Sequence, residues 1–254
     1  MNRLDEVFKK KRERILSIYF TAGFPQLNDT VEILQQLQSS GVDFVEVGFP
    51  FSDPLADGPV IQQSSQQALQ NGMTLSLVLK QLHDVKNSID IPIVLMGYLN
   101  PVLQMGVDKF LEESARANVS GVILPDVPLD MWEEDWGNKF RTKNIHPILL
   151  ITPQTNDERA LRIDSASSGF VYLVASSGIT GRQHGESDAA AQYFARIKNL
   201  GLKNPLMAGF GIHDRQTFNA VCERASGAII GSAFIKYLEE HGTNDIHSFI
   251  QSVR

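Results

Sequence analysis

The chain of 254 residues holds a single cysteine, Cys222, so no internal disulfide can form. A reducing, cytoplasmic location is the simplest expectation. The apolar spacing Phe218, Val221, Cys222 predicts a buried structural thiol, not a nucleophile. No apolar run nears the roughly 20 residues needed to cross a bilayer. The basic residues Lys9 to Arg14 are followed by no apolar stretch of signal-peptide type. Positive charge is also short: 23 Lys and Arg stand against 29 Asp and Glu, a net charge of −6. Nucleic acid is therefore excluded as an expected partner, because backbone phosphates require clustered Lys and Arg. The histidines show no metal-ligand spacing, so no metal site is expected. Gly-x-Ser-x-Gly is missing, which leaves a serine hydrolase without support.

What the chain does have is alternation. Short apolar runs at Ile15–Thr21, Phe44–Gly48, Pro92–Met96, Gly121–Leu124, Pro147–Thr152, Phe170–Val174, Pro205–Ala208 and Gly227–Ile230 read as eight strands. Amphipathic stretches such as Thr30–Ser39, Leu75–Lys86, Val107–Ala117 and Ala189–Leu200 lie between them. The strand runs are almost continuously hydrophobic, as when both faces are covered. Eight strand–helix units without a Pro/Gly/Ser-rich linker predict a single (β/α)₈ barrel domain over residues 1–254. Leu4, Val7, Phe8 and Lys11 share one helical face, which adds an amphipathic helix before the first strand. A doubly wound open sheet is the structural rival, but its first turn would favour a GxGxxG loop, and none is present.

In such barrels chemistry sits at the C-terminal ends of the strands. There the run Glu46-Val-Gly-Phe-Pro-Phe-Ser-Asp-Pro-Leu-Ala-Asp-Gly-Pro59 stands out. Glu46 interrupts an apolar strand and by alternation points away from Val45 and Val47, into the barrel mouth. Desolvation there raises a carboxyl pKa. Asp53 and Asp57 follow in a loop stiffened by Pro50, Pro54 and Pro59. Such a loop suits positioning a base or docking a partner, although Asp-Pro and Asp-Gly are also ordinary turn dipeptides.

Glycines gather at the ends of the last three strands: Gly178 and Gly181, Gly209 and Gly211, and Gly231 with Ser232. Barrels often bind phosphate with the loops after strands seven and eight and a short helix N-terminus. Three such sites together predict a small-molecule phosphate ligand, with Ser232 as helix cap and hydroxyl donor. Asp126, in Leu124-Pro-Asp-Val-Pro128, is open to two readings, a catalytic acid or a turn acid. Trp132 and Trp136, four apart, are explained by helix packing.

The Glu46-to-Ile61 run resembles the signature of the tryptophan synthase alpha subunit family. Tyr19-Phe-Thr-Ala-Gly23, Tyr98-Leu-Asn-Pro101, Pro125-Asp-Val-Pro128, Gly178-Ile-Thr-Gly181, Gly209-Phe-Gly-Ile212 and Gly231-Ser-Ala233 extend the resemblance along the whole chain. It implies a lyase that splits indole-3-glycerol phosphate into indole and glyceraldehyde 3-phosphate without a cofactor of its own. By that resemblance Glu46 and Asp57 are catalytic, and Tyr19, Met96, Tyr172, Thr180 and Phe210 surround the substrate. Gly181, Gly211, Gly231 and Ser232 hold its phosphate. Asp53 and Pro54 dock a beta subunit that carries pyridoxal phosphate, within an alpha2beta2 tetramer. The chain departs from many relatives at Tyr19, where they carry Phe, and at Phe49, a position more often aliphatic. Two alternatives stand beside this reading: a stand-alone lyase that releases indole, and a non-catalytic barrel that activates its partner. The intact pair of Glu46 and Asp57 argues against the second.

Overall fold

The computed structural model describes residues 1–174, 184–209 and 211–254, with the backbone alone at 184–188. Its strands form one parallel sheet in the order β5-β4-β3-β2-β1-β9-β8-β7-β6. They are β1 (Ile15–Thr21), β2 (Phe44–Gly48), β3 (Ile93–Met96), β4 (Val119–Ile123), β5 (His146–Ile148), β6 (Leu150–Ile151), β7 (Val171–Val174), β8 (Leu206–Gly209) and β9 (Gly227–Ile230). β1 pairs with both β2 and β9. The two ends of the ladder, β5 and β6, are consecutive in the chain and separated only by Leu149, which closes the ring. That closure rules out the open doubly wound sheet.

Nine strands arise where eight were expected because the predicted strand Pro147–Thr152 is broken. Pro147 has no N–H to give to a ladder. The Leu149 N–H turns instead to the Ser167 hydroxyl at 3.3 Å. The Leu149 carbonyl still accepts the Tyr172 N–H at 3.0 Å, which keeps the second half in the barrel.

Alternation along the strands separates two apolar layers. Leu16, Ile18, Val45, Val47 and Leu95 face outward under the helices. Ile15, Tyr19, Phe44, Val94, Phe170 and Tyr172 fill the interior. Every residue of β1 and β2 is buried, so the two faces are equally closed to water. Among the described residues no helix is long and apolar enough to cross a membrane.

The lower, N-terminal end of the barrel is stoppered by the helix Arg3–Lys10. Asn2 caps it, its side-chain oxygen accepting the Leu4 N–H at 2.8 Å. The same amide donates to the carbonyls of Ser120 and Asn144, tying the cap to the barrel floor. Leu4 is wholly buried. The Phe8 ring lies 6.4 Å from Phe44 and 6.0 Å from Phe170, whose own rings are 5.5 Å apart. Asp5 meets the His146 ring at 3.0 Å. Lys11, just beyond the helix, pairs with Asp43, so it is not part of a freely solvated basic side. Truncating Leu4 to alanine leaves a cavity under this stopper and should cost about 2–5 kcal/mol of stability. Urea unfolding reads this directly; an unchanged midpoint would show that the helix is not part of the cooperative core.

Candidate active site

Glu46 occupies the position that alternation assigned to it. It lies between Phe44 and Gly48 on the interior face of β2, with Tyr19 of β1 as its register partner. It is fully buried, and neither carboxylate oxygen has a hydrogen-bond partner among the described residues. Burial alone pushes its pKa up to about 8, because a lone charge in apolar surroundings is far costlier than a neutral acid. At neutral pH this is a protonated acid with a proton to give.

Asp57 has a different setting. It precedes Gly58, the cap residue of the helix Pro59–Gln70, whose first residue is the proline favoured there. The Asp57 N–H bonds to the Pro54 carbonyl at 3.0 Å, and the Gln62 amide holds the Asp57 carbonyl at 2.9 Å. Its side chain is half-buried, and burial raises it to about 6, opposed by a hydrogen bond from Tyr98. The Tyr98 hydroxyl donates to Asp57 Oδ2 at 3.0 Å and accepts the Ala56 N–H at 3.0 Å. One phenol thus joins the loop to the end of β3.

A cavity of about 330 Å³ opens above Glu46 at the C-terminal ends of the strands. Tyr19, Asp57, Met96 and Tyr172 line one part of it, and Gly211, Gly231 and Ser232 another. Glu46 is too deeply buried to line it and lies beneath. Burial, with Asp57 next in size, drives the Tyr19 hydroxyl far above the ordinary phenol range. Burial, with Glu46 next, does the same for Tyr172. Both phenols therefore stay neutral. The backbone makes room for them: a Cβ at Gly48 would overlap the Tyr19 hydroxyl, and one at Gly209 would overlap that of Tyr172. Phe49 lies over Gly97 in the same way.

The phosphate-type end differs in detail from expectation. Gly231, not Ser232, is the cap residue of the helix Ser232–His241, and no side chain caps it. Ser232 is the first helical residue, exposed at the cavity with its hydroxyl and N–H uncommitted to capping. Gly211 adopts φ +72°, a conformation that suits glycine, and its carbonyl lies 3.0 Å from His213 Nδ1. Thr180, Gly181 and Phe210 fall outside the described residues.

Several lining residues escaped the sequence reading. Ile61 and Ile229 add apolar wall, and His213 and Lys236 bring basic side chains to the glycine end. Lys236 was legible in principle, one helical turn beyond Ser232. Tyr98 was noticed as a motif but not as the partner of Asp57.

The remaining candidates resolve plainly. Asp53 is exposed and takes a hydrogen bond from Ser52, and Leu55 beside it is 90% exposed. Pro54, between them, is largely buried and lines a shallow surface groove with Ser52 and Gln62. Asp126 lies outside the cavity and accepts the N–H of Leu99, 27 residues away, at the start of the helix Leu99–Met105. Trp132 and Trp136 are buried edge to face at 5.7 Å. Cys222 is half-buried rather than fully so, with its thiol pushed up to about 11 by burial. No group of three or more His, Cys, Asp or Glu that could hold a metal occurs among the described residues.

Known proteins resemble this chain in sequence and in fold. A family model described as tryptophan synthase alpha chain matches residues 6–253. The tryptophan synthase alpha chain of Flavobacterium johnsoniae is 49% identical over 254 residues, the whole of both chains. That of Bacteroides fragilis is 45% identical over 240 residues, 94% of this chain and 91% of its own. Among solved structures, the alpha chain from Legionella pneumophila superposes with a TM-score of 0.86 at 33% identity, over 100% of this chain and 97% of that one. A chain of Mycobacterium tuberculosis tryptophan synthase, in its aminoacrylate-bound form, superposes with a TM-score of 0.87 at 30% identity over all of both.

The buried acid has a thermodynamic signature apart from catalysis. Folding holds the Glu46 proton up to about pH 8, whereas the unfolded chain releases it in the ordinary glutamate range. Its contribution to stability is therefore complete below that range and is lost as pH rises towards 8. Glu46→Gln cannot titrate, so its stability relative to the parent should climb between about pH 5 and about pH 8. Urea midpoints at several pH values test this, and a constant difference would mean that Glu46 is ionised in the fold.

Proposed function

The chain belongs to the tryptophan synthase alpha chain family, and from that premise we propose how its own residues divide the work. The reaction is the cleavage of indole-3-glycerol phosphate into indole and glyceraldehyde 3-phosphate. The bond to be broken joins C3 of the indole to C3′ of the glycerol chain, and unaided cleavage would expel an unstable carbanion.

In our reading the protonated Glu46 gives its proton to C3, and positive charge develops at the ring nitrogen. Asp57, ionised above about pH 6, faces that N–H and balances the charge. The C3–C3′ electron pair then returns to C3 and restores the aromatic ring. The 3′-oxygen forms the aldehyde carbonyl and yields its proton to the Glu46 carboxylate, which is thereby reset. Each acid–base contribution is typically worth roughly 10²–10⁴ in rate. The observation that carries this reading is Glu46: a wholly buried carboxyl with no hydrogen-bond partner among the described residues, in register with Tyr19, which lines the cavity.

Tyr19, Met96, Tyr172 and Phe210 enclose the indole, and Thr180 belongs to the chain that covers it. Gly181, Gly211, Gly231 and Ser232 bind the phosphate through backbone N–H groups and the helix dipole. Lys236 adds the positive charge that a dianion needs. One barrel domain, residues 1–254, suffices for all of this, and a cytoplasmic location agrees with its lone thiol. No cofactor takes part in this subunit. The beta chain, with its pyridoxal phosphate, docks against the loop of Asp53 and Pro54, which also presents the exposed Leu55. Two such pairs make the alpha2beta2 assembly.

Two measurements test the assignments. Glu46→Gln and Asp57→Asn should each slow indole release by at least about 10²-fold; near-normal cleavage by either variant removes that residue from the mechanism. Asp53→Ala should weaken binding to a tryptophan synthase beta chain, followed by calorimetry, more than it alters cleavage by the chain alone. Equal affinity of variant and parent would refute the docking role.

A further inference from the structure

Asp126 is an acid singled out in the sequence, and neither the proposed reaction nor the proposed docking gives it a part. It stands just beyond β4, exposed, and both its carboxylate oxygens accept the Leu99 N–H, at 3.0 and 3.1 Å. Leu99 opens the helix Leu99–Met105, and the residue at the cap position, Tyr98, makes no side-chain capping bond. The first N–H groups of a helix lack intrahelical partners, and negative charge is favourable beside them. Asp126 thus does a cap's work from the neighbouring strand.

Leu99 is bonded directly to Tyr98, and Tyr98 is held on every side. The Gly97 N–H before it bonds to the Ile123 carbonyl at 3.1 Å, in the strand leading to Asp126. Its ring stacks on Phe51 at 5.2 Å with 25° between the planes. Its hydroxyl joins the Ala56 N–H to Asp57 Oδ2. On the far side of the peptide that carries this tyrosine, the Leu99 N–H is fixed by Asp126, while the Leu99 side chain packs against the core.

We propose that Asp126 is a positioning residue for the cleavage reaction, setting the orientation of Asp57 through the Leu99 N–H and the Tyr98 hydroxyl. It touches neither the substrate nor Asp57. The proposal rests on the reading of Asp57 as the group that faces the indole N–H.

A merely structural Asp126 and a positioning one differ in what they do to the titration of Asp57. The Tyr98 hydroxyl donates to the carboxylate and so favours its ionised form. Loss of that bond lets burial act unopposed and moves the acid limb of the kcat/KM profile to higher pH. The test compares the full chain with Asp126→Ala, Asp126→Asn, Tyr98→Phe and the Asp126→Ala/Tyr98→Phe double variant, cleaving indole-3-glycerol phosphate across the pH range. Asp126→Ala should lower kcat on the order of five- to tenfold, the scale of one hydrogen bond, with little change in KM. Its acid limb should move upward, as in Tyr98→Phe. Asp126→Asn keeps one acceptor oxygen and should recover part of both effects. The double variant should show no shift beyond that of Tyr98→Phe, since the two residues act in series.

A slower Asp126→Ala enzyme with the parent's acid limb would overturn the proposal, as would additive shifts in the double variant. Should Asp126→Ala fail to fold, Asp126→Asn decides the matter by a smaller shift in the same direction or by none. Asp57→Asn separates the premise from the inference. Retained cleavage in that variant removes the premise, whereas its loss together with an unmoved limb in the Asp126 variants sinks the inference alone.

Discussion

The burial of one carboxyl group organises this molecule. Glu46 is placed inside a closed ring of strands, where its oxygens are shut off from solvent and no described group hydrogen-bonds to them. Keeping it there costs several kcal/mol if it is charged, and the fold avoids that cost by leaving the proton on. Everything that closes the barrel therefore also sets the chemistry. The Phe44–Phe170 layer beneath Glu46 and the phenols of Tyr19 and Tyr172 around it keep the dielectric low. A looser ring would admit water, and the acid would ionise and lose the proton that the proposed mechanism requires of it.

Asp57 is the counterpart, and the contrast is one of environment. Both carboxyls are raised by burial, but Asp57 is only half-buried, sits on a loop and receives a hydrogen bond that works against the rise. Near neutrality the first holds a proton and the second does not. Two like groups are thereby driven to opposite tasks by their surroundings. The Tyr98 hydroxyl that tempers Asp57 also binds the loop backbone at Ala56, and its ring rests on Phe51. The loop that presents Asp53 and Leu55 is thus linked through Tyr98 to the carboxylate at the cavity, which would give the proposed docking of a partner a short route to Asp57.

Much of this could be read before any coordinates, for physical reasons. Strands buried on both faces leave long apolar runs, so eight were visible, and a lone Glu within such a run betrays its direction by alternation. Local bonds were less legible. The break at Leu149 depends on where the Ser167 hydroxyl arrives from 18 residues away. The cap position at Gly231 instead of Ser232 turns on one residue of backbone geometry, which hydrophobic periodicity does not resolve. Tyr98 and Asp57 are 41 residues apart, and the parallel pairing of β2 with β3 brings together the segments that follow them. The buried state of Pro54 follows from the path of its loop, about which Asp-Pro turn chemistry says nothing.

The stopper at the lower end has a bearing on traffic. With Leu4, Phe8, Phe44 and Phe170 packed across the floor, the barrel is a blind tube. Whatever is released above Glu46 has to leave by the upper rim. Under the proposed assignment, the phosphate draws the aldehyde fragment towards the glycine and lysine side, and the uncharged aromatic fragment is left against Tyr19, Met96 and Tyr172. On that reading the two products of one bond cleavage begin their departure from opposite sides of the same opening, already sorted by charge.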